Sequence, residues 1–131
     1  MILIAALALA AAAEEEPNCK DPRWQSEMNA CAYIEYERAD AAMNAVWKPL
    51  LAIMKDRDKG FDRKGDGRPG FVAALLDGQR VWLKFRDAHC VSEGYFARGG
   101  SMEPMVINGC LQDLTRARTK QLQDLLEMYQ L

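Results

Sequence analysis

The 131-residue chain has a single histidine, only 8% aromatic residues and almost no net charge, with 17 basic side chains against 19 acidic ones for a balance of −2. Each shortage removes a class of function. A nearly neutral chain with its charges mixed along its length lacks the basic stripe that nucleic-acid binding requires, so no nucleic-acid partner is expected. The lone His89 has a thiol neighbour in Cys90, but adjacent residues of a helix do not face each other, so the two make no dyad. His89 is expected at a helix end, near the carbonyl pole of the dipole. The sequence contains no Gly-x-Ser-x-Gly elbow, phosphate-binding glycine loop or His-Glu-x-x-His pair. Its acidic residues are scattered, so no two are marked out for glycosidase chemistry. Binding is expected rather than catalysis, with no catalytic residue, no cofactor and no metal.

Long apolar runs are also missing. The longest is Met1–Ala13, MILIAALALAAAA, well short of the roughly 20 residues a membrane span needs. It fits the apolar region of a signal peptide with an Ala-x-Ala site at Ala11–Ala13, although no Lys or Arg precedes it. The competing reading is a buried or interfacial helix. Cys19 follows Glu-Pro-Asn rather than a lipidation box, so no stable membrane anchor is expected. The expectation is a periplasmic or secreted bacterial product, cleaved near Ala13. The organisation that follows is a signal peptide at 1–13, a loop at 14–23 and one helical domain at 24–131. About 118 residues then remain, enough to fold alone.

That remainder keeps four cysteines, Cys19, Cys31, Cys90 and Cys110. An even count in a small exported domain points to disulfides. Zinc would want a Cys-x-x-Cys knuckle, and none is present. Three connectivities are possible. Neighbour pairing, Cys19 with Cys31 and Cys90 with Cys110, is favoured because each pair flanks a loop-like stretch.

Helical periodicity dominates the rest. Between Trp24 and Arg57, Met28, Cys31, Ala39, Met43, Trp47, Leu50 and Met54 recur at three- and four-residue steps. Pro49 falls inside and predicts a kink or break. Residues 56–70 hold four glycines and no core pattern, so they form a loop. Its aspartates do not make an EF-hand. Counting from Asp62 puts Lys64 at the third ligand position and Ala73 at the twelfth; counting from Asp56 puts Phe61 at the turn glycine. A second helix is predicted over Phe71–Ala88, weakened by Gly78. A loop follows over Cys90–Gly100. Ser101 is expected to cap a third helix, with Glu103 in its first turn and Met105, Leu111, Leu114, Arg118, Leu122, Leu125 and Met128 along one side. The fold class is all-α, a three- to four-helix bundle stapled by two disulfides.

Polar residues interrupt the core-facing stripes. Asp40 and Asn44 share a face of the first helix; Gln79, Trp82 and Arg86 share one of the second; Arg118 lies among leucines on the third. A carboxylate and a guanidinium from different helices are expected to pair bidentately and set the register of the bundle. A ligand-facing polar cluster is the competing reading.

The same residues carry a family likeness. The stretches Gln25–Ala32, Ala39–Asn44, Gln79-Arg80-Val-Trp82-Leu-Lys-Phe-Arg86-Asp87-Ala-His-Cys90, Gly99–Ser101 and Cys110–Arg118 occur in this order. Together they resemble the LprI-type lysozyme-inhibitor domain (N-terminal domain) of bacterial envelope proteins, over about residues 19–126. The resemblance implies an all-helical, disulfide-bonded, periplasmic or secreted domain, with lysozyme inhibition associated with at least one member, and it brings no catalytic residues. Pro49, the basic 59–70 loop and Gly78 depart from the family pattern. Two functional readings follow. One is an inhibitor that occludes the cleft of lysozyme-type muramidases through a loop, either 56–70 with its Arg and Lys side chains or, preferred, 91–101 with Tyr95, Phe96 and Arg98 as anchors. The other is a periplasmic structural or interaction module that binds another envelope protein and inhibits nothing.

Overall fold

The computed structural model describes residues 15–61 and 65–131. The expected signal peptide, Met1–Ala13, lies outside them. Three helices account for most of the chain: α1 over Gln25–Gly60, α2 over Phe71–Gly94 and α3 over Glu103–Gln130. A 3₁₀ turn, Tyr95–Ala97, continues from the end of α2. No strand occurs among the described residues, and none of their helices is long and apolar enough to cross a membrane.

α1 begins where the Glu27 carboxylate accepts the backbone N–H groups of Arg23 (2.8 Å) and Trp24 (3.4 Å), two donors that no helical carbonyl can reach. The Cys19–Cys31 disulfide folds the preceding loop onto this first stretch. α1 then runs 36 residues without a break at Pro49. The expected interruption does not occur, because Pro49 and Ala45 both lie on the exposed side. There the carbonyl that loses its N–H partner can meet water, and the ring meets no packed neighbour.

α2 has Gly70 at its N-cap, which supplies no side-chain acceptor. The cap comes from another helix: Asp58, near the end of α1, accepts the N–H groups of Phe71 (2.8 Å) and Val72 (3.2 Å). One carboxylate thus ends the α1–α2 connection and satisfies the start of α2. α2 also runs six residues past the predicted end at Ala88, so Cys90 is helical and His89 stands inside the helix rather than at its end.

α3 differs from expectation at its start. The N-cap is Met102, without a side-chain bond, and Ser101 instead uses its carbonyl to accept Asn29 Nδ2 of α1 (2.9 Å). Glu103 takes the capping role by accepting the Gly99 N–H (2.7 Å). Gly99 has φ +79°, a left-handed conformation that glycine adopts without strain.

The helices run up, down and up. Asn29 and Ser101 join the starts of α1 and α3, and Arg57 Nη2 donates to the Tyr129 carbonyl (3.4 Å) near their ends, so these two are parallel with α2 reversed against them. α1 makes its broadest contact with α3. The core is Met43, Leu50, Met54, Leu75, Leu122 and Leu126, with Trp47, Phe71, Trp82 and Tyr129 packed around it. On α3 the buried positions are Cys110, Thr115, Leu122 and Leu126, while Met128, expected along the same side as the leucines, is 65% exposed. Near the other end, Cys90 and Cys110 form the second disulfide, both buried, and so complete the neighbour pairing.

Candidate functional site

Two regions gather the polar and exposed residues singled out in the sequence. The first is inside the bundle. Arg86 of α2 is 5% exposed, buried more deeply than its neighbour Phe85, which is 54% exposed. Its guanidinium lies between the rings of Tyr36 (5.4 Å) and Trp82 (5.2 Å). Nε donates to Asp87 Oδ1 (2.9 Å), and Nη1 donates to the buried Thr115 hydroxyl (3.3 Å). Asp40 approaches Nη1 at 3.8 Å. The expected bidentate pair across helices is therefore a single long contact. Asp40 spends its other oxygen on Asn44 Nδ2 (3.3 Å), and Arg86 gives its best-aligned donors to Asp87 and Thr115.

The cluster continues into α3. Gln79 accepts from Arg118 Nε (3.0 Å), and its Nε2 points at the Met43 sulfur (3.6 Å), so one amide of α2 touches both other helices. Arg118 also stands over Trp82 at 5.8 Å. Asp40, Asn44, Gln79, Trp82, Arg86 and Arg118 thus form one connected set. Tyr36, Asp87 and Thr115 complete it and were missed in the sequence reading. Tyr36 could have been found, since it precedes Asp40 by four residues on the same face. Among the described residues no buried side-chain polar atom lacks a partner. Such satisfaction is what a cross-helix register device requires.

The second region is the connection between α2 and α3. Tyr95 and Phe96 belong to the 3₁₀ turn, and Phe96, 84% exposed, is the most exposed aromatic residue described. The Arg98 guanidinium stacks 4.4 Å from the Tyr95 ring centre. Beside them is a shallow hollow of about 470 Å³ bounded by Gly99, Gly100, Glu103, Pro104, Ile107 and Asn108. This connection is tightly held. The Cys90–Cys110 disulfide crosses beneath it, Asn29 ties Ser101 to α1, and a Cβ at Gly94 would lie 2.3 Å from Ile107 Cγ1. The expected 90–100 loop is in fact a helix end, a 3₁₀ turn and two glycines, with Tyr95, Phe96 and Arg98 on the outside.

His89, Glu93 and Cys110 bring potential ligand atoms within 4.8 Å of one another. The Cys110 sulfur is bonded to Cys90, so it is no thiolate, and the trio offers a metal only an imidazole and a carboxylate. His89 instead stacks on Phe85 at 5.4 Å and faces Glu93 at 3.5 Å.

The chain is 40% identical over 126 residues to a protein of Rhizobium meliloti (strain 1021) titled "Uncharacterized protein R02472", covering 96% of this chain and 91% of that one. No solved structure matches it. The family model described as "Lysozyme inhibitor LprI" matches residues 19–122, which include both disulfides and the whole polar cluster. On that match, the chain belongs to the LprI lysozyme-inhibitor family.

Proposed function

We propose that this domain works in the bacterial envelope as an exported inhibitor of lysozyme-type muramidases, seating its α2–α3 turn in their active-site cleft. The observation that carries the reading is the combination at this turn: an 84% exposed Phe96 on a backbone held by a disulfide, in a member of a lysozyme-inhibitor family. A rigid turn loses little conformational freedom on binding, so the apolar contact of Phe96 is not offset by ordering costs. Arg98, already aligned on Tyr95, presents a guanidinium to the paired carboxylates that such enzymes use. Bulk attraction contributes little, since the net charge is only −2.

The test is a cell-wall lysis assay in which oxidised protein is titrated against a c-type lysozyme at low and physiological salt. Stoichiometric inhibition is expected, lost on reduction. Phe96→Ala should weaken inhibition by about thirtyfold, the size of a binding hot spot, without lowering the melting temperature. Absence of inhibition at tens of micromolar would overturn the reading in favour of an interaction module for a different envelope protein.

A further inference from the structure

A groove between α2 and α3, in the half of the bundle away from the proposed inhibitory turn, carries a second inference that stands independently of muramidase binding. Its walls and floor are apolar: Met54, Phe71, Leu75, Leu125 and Tyr129 line a cavity of about 250 Å³. Phe71, Ala74 and Tyr129 also border an adjoining cavity of about 350 Å³, which continues past Phe61 and Pro69. The two adjoin at these shared residues, where the Phe71 and Tyr129 rings meet edge to face at 6.3 Å, and together they outline a trough whose parts are close to the usual volume range of small-molecule sites. From Gly78 to Gly70 it follows α2 for about 12 Å at the rise of a helix.

The groove ends on a cation. Arg118 lines it beside Gly78, and among the described residues no carboxylate lies within ion-pair distance of that guanidinium. Its hydrogen-bond partners are the neutral amides of Gln79 and Gln121, reached through Nε and Nη1 at 3.0 Å each. Nη2 is uncommitted and faces Gly78, where a Cβ would stand 3.9 Å away. Burial pushes the Arg118 guanidinium down from its ordinary value with no acid to offset the effect. The arginine at the other end of the trough is already satisfied: Arg68 pairs with Asp66 through Nε (2.9 Å) and Nη2 (2.7 Å). A partly desolvated, acid-free guanidinium at one end of an apolar channel is complementary to a single negative charge attached to a hydrocarbon.

We propose that this groove binds a fatty-acid-type anionic amphiphile, with its headgroup on Arg118 and its tail running along Leu75, Leu125, Phe71 and Tyr129. Trp82, stacked against Arg118, provides the signal. The full oxidised protein is titrated with dodecanoate, dodecyl phosphate, dodecanol and dodecyltrimethylammonium, each below its micelle concentration, by calorimetry and tryptophan fluorescence. Saturable one-to-one binding of both anions is expected, with the cationic analogue at least about tenfold weaker. Arg118→Gln should reduce dodecanoate affinity about tenfold while leaving dodecanol unchanged, and Arg118→Lys should restore part of it. Ala74→Trp, an exposed position on the rim, should block every tail while leaving the helical circular dichroism intact. Equal binding of anionic and cationic chains, unchanged affinity in Arg118→Gln, or no saturable binding would overturn the proposal. Preference for one headgroup over the other would identify the anion the site selects.

Discussion

Arg86 and Phe85 are neighbours on α2, yet the charged side chain is buried and the ring faces solvent. Burial of a guanidinium is tolerated because the Tyr36 and Trp82 rings lie 5.4 and 5.2 Å from it while Asp87, Thr115 and Asp40 meet its nitrogens. Trp82 is accordingly half-buried, with one guanidinium 5.2 Å and another 5.8 Å from its ring, and does not sit in the centre of the apolar core. A fully buried tryptophan would cost about 3–5 kcal/mol on truncation to alanine. Trp82→Ala should cost less, about 2–3 kcal/mol, part of it through the uncovered face of Arg86. Urea unfolding measures this, and a variant that melts with the parent would show that the ring contributes nothing to packing.

At the scale of elements, the helices are joined by side chains that cap or approach a neighbouring segment. Asp58 caps α2 from α1, Asn29 holds the α2–α3 turn from α1, and Gly94 lets α2 come close to Ile107. Two helical glycines should therefore respond in opposite directions. Gly94→Ala places a methyl carbon 2.3 Å from Ile107 Cγ1, and the strain should destabilise by about 1–3 kcal/mol. Gly78→Ala meets nothing closer than 3.9 Å and should stabilise by about 0.5–1 kcal/mol through helix propensity. Thermal melts of the two variants beside the parent decide it; shifts of the same sign would refute the packing account. Pro49 belongs to this scale too: its effect on α1 was set by which side of the helix faced water, which local sequence does not state.

For the whole molecule, the two disulfides have different duties. Cys19–Cys31 closes a separation of 12 residues and tethers an exposed loop, whereas Cys90–Cys110 closes 20 and is buried where α2 meets α3. Chain-entropy arguments give about 3 kcal/mol for such closures, with ~0.5 kcal/mol more for the wider one. The burial of the second bond adds packing that the first lacks. Replacing Cys90 and Cys110 together by alanine should lower the melting temperature by about 10 °C or more and loosen the turn that carries Phe96. The Cys19/Cys31 double replacement should have a smaller effect and leave the turn intact. Calorimetry of the two double variants, read beside the lysis assay, tests both statements.

The all-α class, a bundle of three to four helices that proves to have three, and the neighbour pairing of cysteines were legible in the sequence, because they depend on local periodicity, glycine-rich breaks and cysteine spacing. The six polar residues were legible as interruptions of apolar stripes, and so was the family. Helical periodicity places Arg86 on a stripe with Gln79 and Trp82 but not how deeply it is buried, which Tyr36, Asp40 and Thr115 from the other helices decide. The cap at Asp58 and the course of the helix through Pro49 likewise depend on groups distant in sequence or on the direction of solvent. The groove at Arg118 exists only where α2 and α3 face each other across Gly78. Local chemistry determined which helices form; desolvation and cross-helix contact decided which side chains they bury.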